Sequence, residues 1–348
     1  MNVLLLSPLP PPSGGIARWT QRFLTWGEEK KKIDVTVVNT ALVGDRAGEA
    51  GIKKRMTVEA KRALLIINNT RNRLKRKPDI MHLNTSCSKQ GIFRDWICVG
   101  LADKRGVPIV VHCHCNIEDQ IGKGKLPKKI FEKIADKAKV VLVLNQKSRD
   151  YVEKIVPGKV RICPNFVMTD QIAKEHKVND HFTTGMYVGD VRFSKGSDDI
   201  YELAEQCQDK KFIVIGSVTD EMKKIKKPDN VIIMGRLEAV DVYRQLDEAD
   251  VFIFPSLTEG FSNALLEAMA RGVPVIATDV GANKDMIEER GGVIVPVHDV
   301  EAMKAALYDM EPKEKRKKMS EWNINKVKKY YEYNKVLQEL MHIYEEII

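Results

Sequence analysis

Ala249-Asp250-Val251-Phe252-Ile253-Phe254-Pro255-Ser256-Leu257-Thr258-Glu259-Gly260-Phe261-Ser262-Asn263-Ala264-Leu265-Leu266-Glu267-Ala268-Met269-Ala270-Arg271-Gly272 decides the reading of the whole chain. Residues Ala249 to Ile253 have the length and apolar continuity of a buried strand, and Leu265 to Arg271 read as a helix closed by Gly272. A turn joins them. The first amides of a helix have no partner inside it, so Phe261, Ser262 and Asn263 present N–H groups where the peptide dipoles favour an anion. Glu259 in the turn and Glu267 on the helix frame that point.

The same alternation extends outward on both sides. Upstream lie apolar runs at 185–188, 211–215 and 231–234, each followed by glycine; downstream are Pro274-Val275-Ile276-Ala277-Thr278 and the run 293–295 after Gly291-Gly292. The first half repeats the pattern, with strands expected at 3–6, 35–39, 79–84, 108–113 and 139–145, and helices over 16–27, 57–77 and 146–156. Such a regular succession is what a parallel, doubly wound sheet demands, and 348 residues suffice for two of them. The predicted architecture is α/β, with two Rossmann-like domains. Residues 1–167 form the first, 168–180 a polar linker and 181–320 the second.

Glu259 and Glu267, with Glu-Gly-Phe before the helix and Leu-Glu-Ala-Met-Ala-Arg-Gly-Val-Pro-Val-Ile-Ala-Thr across and beyond it, resemble the signature of the family-four retaining glycosyltransferases. The resemblance implies the GT-B fold, two Rossmann-like domains across a central cleft, with the last helix, about 325–348, crossing back to complete the first. It also implies residue roles. Glu259 and His114 are the expected catalytic pair, His114 ending the strand Pro108-Ile109-Val110-Val111-His112-Cys113 on the acceptor side. Donor binding is expected at Gly14 and Gly15, at Lys195, at Arg236 and Leu237 near the base, at the amides of Phe261, Ser262 and Asn263, and at Glu267 for the ribose. The family carries an arginine where Asp190 stands here; Arg192, two residues on, is the candidate replacement. A leaving diphosphate needs a cation close by, whichever residue supplies it.

Several of these residues also have plainer readings. Gly14-Gly15 fits a turn that requires positive φ as well as a close ligand approach. His82 reads as a structural histidine, and His112 as a hydrogen-bonded core residue. The run His112-Cys113-His114-Cys115 contains metal-ligand types, but strand alternation sends neighbouring side chains to opposite faces, so no metal site is expected there. No Asp-x-Asp triplet is present, and neither metal nor cofactor is expected beyond the nucleoside diphosphate-sugar.

Composition narrows the partners. The chain is 43% hydrophobic and 30% charged, an ordinary globular balance, without an apolar run of transmembrane length or a signal-peptide pattern. Its six cysteines lack Cys-x-x-Cys spacing, which fits a reducing cytoplasm. Through Asn165 there are 32 basic against 15 acidic residues, a net of +17; the remainder is net −8. That asymmetry points to an anionic partner for the first half. No nucleic-acid motif accompanies it. The basic, partly apolar helix over 57–77 suits an anionic membrane surface, or equally a solvated face on a packed helix, and the expected location is cytoplasmic, peripheral on the inner face of the plasma membrane.

The expected activity is transfer of a hexose-type sugar from a nucleoside diphosphate-sugar to a glycan or lipid-linked acceptor. A GT-B nucleotide-sugar epimerase would share the fold but lacks the glutamate motif. A non-catalytic binder of anionic polymers would explain the charge alone, and a dehydrogenase would need a Gly-x-Gly-x-x-Gly after the first strand.

Overall fold

The computed structural model describes residues 1–11, 14–41, 52–88, 91–122 and 124–348, with the side chains of 52–57 outside the description. Pro12 and Ser13, just before the Gly14-Gly15 pair, and the side chain of Thr57, at the start of the expected helix over 57–77, therefore lie outside the described residues. The chain divides into two units, one of residues 1–164 with 337–348 and one of 165–336.

The first unit contains β1 (Asn2–Ser7), α1 (Gly15–Lys30), β2 (Asp34–Asn39), α2 (Ile52–Arg73), β3 (Ile80–Thr85), α3 (Gly91–Asp103), β4 (Ile109–Cys113), α4 (Ile117–Ile121), α5 (Lys125–Lys137), β5 (Val140–Val143), α6 (Gln146–Glu153) and β6 (Val160–Ile162). Its six strands are parallel in the order β2-β1-β3-β4-β5-β6. The unbroken apolar run of β1 explains why: Val3, Leu4, Leu5 and Leu6 are buried on both faces, as a strand covered by helices above and below must be. Helix α1 seats Trp19, Phe23 and Trp26, spaced by four and three, against the sheet. Helix α2 begins earlier than the periodicity suggests and ends in a single 3₁₀ turn, Leu74–Arg76, closed by Lys77 in the left-handed region before Pro78. Proline disfavours a helical residue in front of it, which stops the helix there.

The second unit contains β7 (Thr184–Val188), α7 (Ser197–Gln206), β8 (Lys211–Ile215), β9 (Val231–Gly235), α8 (Ala239–Asp247), β10 (Val251–Phe254), α9 (Asn263–Ala270), β11 (Val275–Thr278), α10 (Asn283–Ile287), β12 (Gly292–Val295), α11 (Val300–Asp309) and α12 (Lys313–Tyr330). Its sheet is also parallel, ordered β12-β11-β10-β7-β8-β9. The last helix, α13 (Tyr333–Ile347), starts in this unit and finishes in the first.

The tail differs from expectation in one respect. It is two helices rather than one crossing element, and residues 325–336 remain with the second unit. Asn323 ties α12 down by donating to Val273 O and Gly291 O, both at 2.9 Å, while Ile324 and Val327 are buried. Val167 N then donates to Tyr331 O, and Glu332 turns the chain by accepting from Lys335 N. Tyr330 is 47% exposed beside Lys326 and Lys329, whereas Leu337, Leu340, Met341 and Tyr344 are buried in the first unit.

Both sheets reverse strand order once: between β1 and β3 in the first, and between β7 and β10 in the second. In open parallel sheets ligands gather beyond the carboxyl ends of strands at such points.

Candidate active site

The reversal in the second unit brings together residues 64 positions apart in sequence. Lys195 follows β7 and Glu259 follows β10, and the lysine ammonium forms an ion pair with the carboxylate. Their side chains are only 21% and 12% exposed, so the pair sits in a setting where charge matters more than at an open surface. Ser256 adds a hydroxyl hydrogen bond to the same carboxylate oxygen at 2.9 Å, and Lys195 lies 6.0 Å over the Phe254 ring.

Backbone packing fixes this meeting. Gly196 has φ +64, and a Cβ there would stand 2.0 Å from Pro255 O. Glycine thus lets the loop after β7 lie directly on the loop after β10, where Leu257 N also donates to Ser194 O. Gly281, at φ +56, lets the loop after β11 press on Glu259 O from behind, with a hypothetical Cβ at 2.4 Å. Thr278 donates its hydroxyl to Ser256 O at 2.5 Å, locking the same turn.

Helix α9 begins at Asn263, with Ser262 as its cap: the Ser262 side chain accepts from Leu265 N at 3.2 Å. Phe261 is buried against Tyr331, 5.6 Å between ring centres, and the Asn263 side chain meets Asn165 at 3.0 Å. The expected anion site therefore sits at the start of a capped helix. Glu267 is half-buried one turn further along α9.

The remaining donor-side residues separate into two groups. Asp190, standing where the family has arginine, pairs with Arg236 at 3.4 Å, and both are largely exposed. Arg192 is exposed beside Tyr187, whose phenol burial pushes above its ordinary range. Its guanidinium has no ion pair among the described residues. Leu237 is half-buried after β9.

In the first unit, a cavity of about 440 Å³ opens at the reversal between β1 and β3. Gly14 and Gly15 line it, with Thr40, Asn84, Ser86, Arg62 and Arg94. Gly14 has φ −166 and Gly15 opens α1, so the positive-φ turn expected for this pair is not what the glycines provide. Among the described residues, no atom lies within 4 Å of a hypothetical Gly14 Cβ.

The histidines below that cavity form a network whose proton positions follow from geometry. Asn84 Oδ1 accepts from His82 Nε2 at 3.0 Å and from His114 Nε2 at 2.9 Å, so both rings carry their proton on Nε2. Tyr344 then donates its hydroxyl to His82 Nδ1. On the other side, Asn84 Nδ2 donates to Ser7 Oγ at 2.8 Å, Ser7 to Thr20 across 2.5 Å, and Thr20 to Ile16 O. His114 Nδ1 is left as an acceptor. Burial pushes His82 and His114 down to about 3, with His82 adding to the effect at His114. Both are neutral near pH 7.

His112 is the buried core residue expected, with the backbone of Cys163 as its hydrogen-bonding neighbour in a geometry looser than that of the other two histidines. It stacks 4.0 Å from His114 and edge-on to Trp19 at 5.3 Å, and burial followed by its two histidine neighbours holds it far below the usual imidazole range. Alternation does separate the faces: the thiols of Cys113 and Cys115 turn instead to Cys87. Among the described residues, the group with metal-ligand spacing is elsewhere, at Asp198, Asp199 and His298.

Sequence reasoning missed Ser256, Asn84 and Tyr344. Ser256 acts within its own motif, on Glu259, whereas Asn84 and Tyr344 reach far along the chain; the one available signal was position, since Ser256 and Asn84 fall at carboxyl ends of strands.

A family model described as Glycosyl transferases group 1 matches residues 183–310, and one described as Glycosyltransferase Family 4 matches residues 13–171. The chain is 22% identical over 244 residues to TuaC of Bacillus subtilis (strain 168), described as a putative teichuronic acid biosynthesis glycosyltransferase, covering 66% of this chain and 60% of that protein. It is 34% identical over 147 residues to LpsB of Rhizobium meliloti (strain 1021), a lipopolysaccharide core biosynthesis mannosyltransferase, covering 36% and 41%. These matches thus span less than two thirds of either relative. Among solved structures, Anabaena Alr3699/HepE in complex with UDP-glucose superimposes with a TM-score of 0.75 at 13% identity, over 99% of this chain and 100% of that one, a likeness of fold.

Proposed function

We propose, for a chain that belongs to the family-four and group 1 glycosyltransferases and has their GT-B fold, the following reaction: transfer of a hexose-type sugar from a nucleoside diphosphate-sugar, with retention at the anomeric carbon, to a glycan or lipid-linked acceptor in polysaccharide or glycoconjugate synthesis. The observation that carries this reading is the Lys195–Glu259 pair at the β7/β10 reversal, next to the amino end of α9. One place offers a cation, a carboxylate and a helix start. These are the needs of a leaving diphosphate and of a sugar held beside it.

Lys195 is the diphosphate ligand, helped by Arg192 and the amides of Phe261, Ser262 and Asn263. Diphosphate oxygens compete with Glu259 for the same ammonium, so donor binding releases the carboxylate toward the sugar hydroxyls. Glu267 takes the ribose, Arg236 and Leu237 approach the base, and Gly14 and Gly15 approach the phosphates. His114, neutral and with Nδ1 free, accepts a hydroxyl hydrogen bond from sugar or acceptor. The cation is a side chain, so the reaction runs without a metal: turnover in excess chelator is expected to stay undiminished, and complete loss rescued by magnesium overturns this point.

The membrane surface is the second part of the proposal. Among the described residues, Val58, Leu64 and Leu65 on α2, Phe93, Trp96 and Ile97 on α3 and Leu126 on α5 are exposed, in a half of the chain with a net charge of +17. Lys133 on α5 lies 5.5 Å over the Trp96 ring. Apolar side chains set among lysines suit the boundary of an anionic bilayer. No helix among the described residues is long and apolar enough to cross one.

The deciding experiment is a thermal-shift screen over UDP-, GDP- and ADP-sugars, followed by hydrolysis of the stabilising donor without acceptor. Stabilisation and slow hydrolysis are expected, with the released sugar first appearing in the donor's anomeric form. A protein that neither binds nor cleaves any of them is not this enzyme.

A further inference from the structure

The cavity at the β1/β3 reversal holds a charge arrangement that the donor reading does not use. Arg62 on α2 and Arg94 on α3 both line it. Among the described residues, Arg62 donates one Nη2 bond, 2.7 Å, to Thr40 O. Arg94 gives Nε and Nη2 to a single oxygen of Asp95, at 2.9 and 2.6 Å, and no described residue takes a bond from Nη1.

Two guanidiniums facing one half-buried space repel each other. Burial lowers the Arg62 pKa, Arg94 lowers it further, and Glu59 opposes with the smallest of the three effects. The Asp95 carboxylate does not relieve the cavity, because it is 1% exposed behind Arg94 and also receives the Thr85 hydroxyl at 2.8 Å. Ser86 and Ser88 also line it, and Ser88 Oγ accepts from Gly91 N. Among the described lining residues Glu59 is the one carboxylate, set against these donors. A tetrahedral oxyanion with three acceptor oxygens satisfies more of them than a planar carboxylate can.

We propose that this cavity takes the acceptor by a phosphate group held between Arg62 and Arg94, with a one- or two-ring glycan filling the remaining space. The inference rests on the transferase reading and adds the acceptor's chemical class to it. A volume of about 440 Å³ falls within the range of small-ligand sites and suits a sugar phosphate rather than a long oligosaccharide.

The test is calorimetric titration of the full chain, saturated with UDP, using glucose 1-phosphate and methyl α-glucoside as probes. Wild-type protein is expected to bind the phosphorylated sugar and to ignore the neutral one. Arg62→Gln should weaken that binding about ten- to hundredfold, the value of one or two charge-assisted hydrogen bonds. Arg94→Lys, which keeps a cation for Asp95, should weaken it in the same direction. Equal affinity for the two probes, or an Arg62→Gln affinity equal to wild type, overturns the proposal. Sedimentation with phosphatidylglycerol and phosphatidylcholine vesicles identifies the source. Loss of phosphatidylglycerol binding in Arg62→Gln alongside the sugar phosphate supports a lipid-borne phosphate, and loss of the sugar phosphate alone supports a soluble one. Donor hydrolysis by the wild-type protein, measured in parallel, separates the two levels. Hydrolysis without sugar-phosphate binding removes only the phosphate, whereas no hydrolysis of any sugar nucleotide removes the transferase beneath it.

Discussion

For single residues, the consequence of the Lys195–Glu259 pair is that neither side chain can be changed without altering the other. Removing the ammonium leaves a 12%-exposed carboxylate where the diphosphate should lie, so Lys195→Ala should cost about 2–4 kcal/mol of donor binding. Glu267→Ala, which loses hydroxyl contacts only, should cost about 1–2 kcal/mol. Calorimetry with the stabilising sugar nucleotide reads both, and unchanged affinities in the two variants would remove the site assignment. The buried histidines make a separate prediction about acid. His82 sits at about 3 in the folded protein, below the ordinary imidazole value near 6.5, so the unfolded chain binds the extra proton first. Its contribution is whole above pH 6.5 and declines as pH falls toward 3, at about 1.4 kcal/mol per unit. His114 has the same sign but keeps some exposure, so its share is smaller. Urea unfolding between about pH 7 and 4 should show the decline, with a shallower slope in His82→Asn.

Among the elements, the loops beyond β7 and β10 decide whether those residues meet. Gly196→Ala would force a Cβ to 2.0 Å from Pro255 O in a left-handed backbone. The loop should move, at about 1–3 kcal/mol, and donor affinity should fall even though no donor contact is deleted. A lowered Tm with unchanged affinity would show that the loop's position does not matter to the ligand. Elements of this kind were only partly legible in the sequence. The strands were, because Val, Ile and Leu runs buried on both faces leave an unbroken apolar signature. Helix α3 was not, because Phe93, Trp96 and Ile97 face outward and spoil the one-sided stripe by which a packed helix is read. The resemblance named Glu259 and Lys195 as candidates but not their ion pair, which exists only because strand order reverses between β7 and β10. Asn84 was equally hidden, since its importance comes from His82 and His114 meeting at one oxygen.

For the molecule as a whole, the exposed apolar side chains of α2, α3 and α5 predict how the protein distributes between water and vesicles. Leu64→Glu with Leu65→Glu should reduce sedimentation with phosphatidylglycerol vesicles at least about tenfold and leave the fold intact, because both residues are 60% exposed or more. Retained vesicle binding would assign the apolar side chains another purpose. The return of residues 337–348 to the first unit has a temporal implication as well. Tyr344 reaches His82, so a partner needed by an early strand is synthesised only after all of the second unit has been made. At a ribosome speed of about 5–20 residues per second, the nascent first unit waits roughly ten to thirty seconds for its final helix. During that interval a groove meant for Leu337, Leu340 and Tyr344 stands bare, making it the natural place for a chaperone to hold the growing polypeptide.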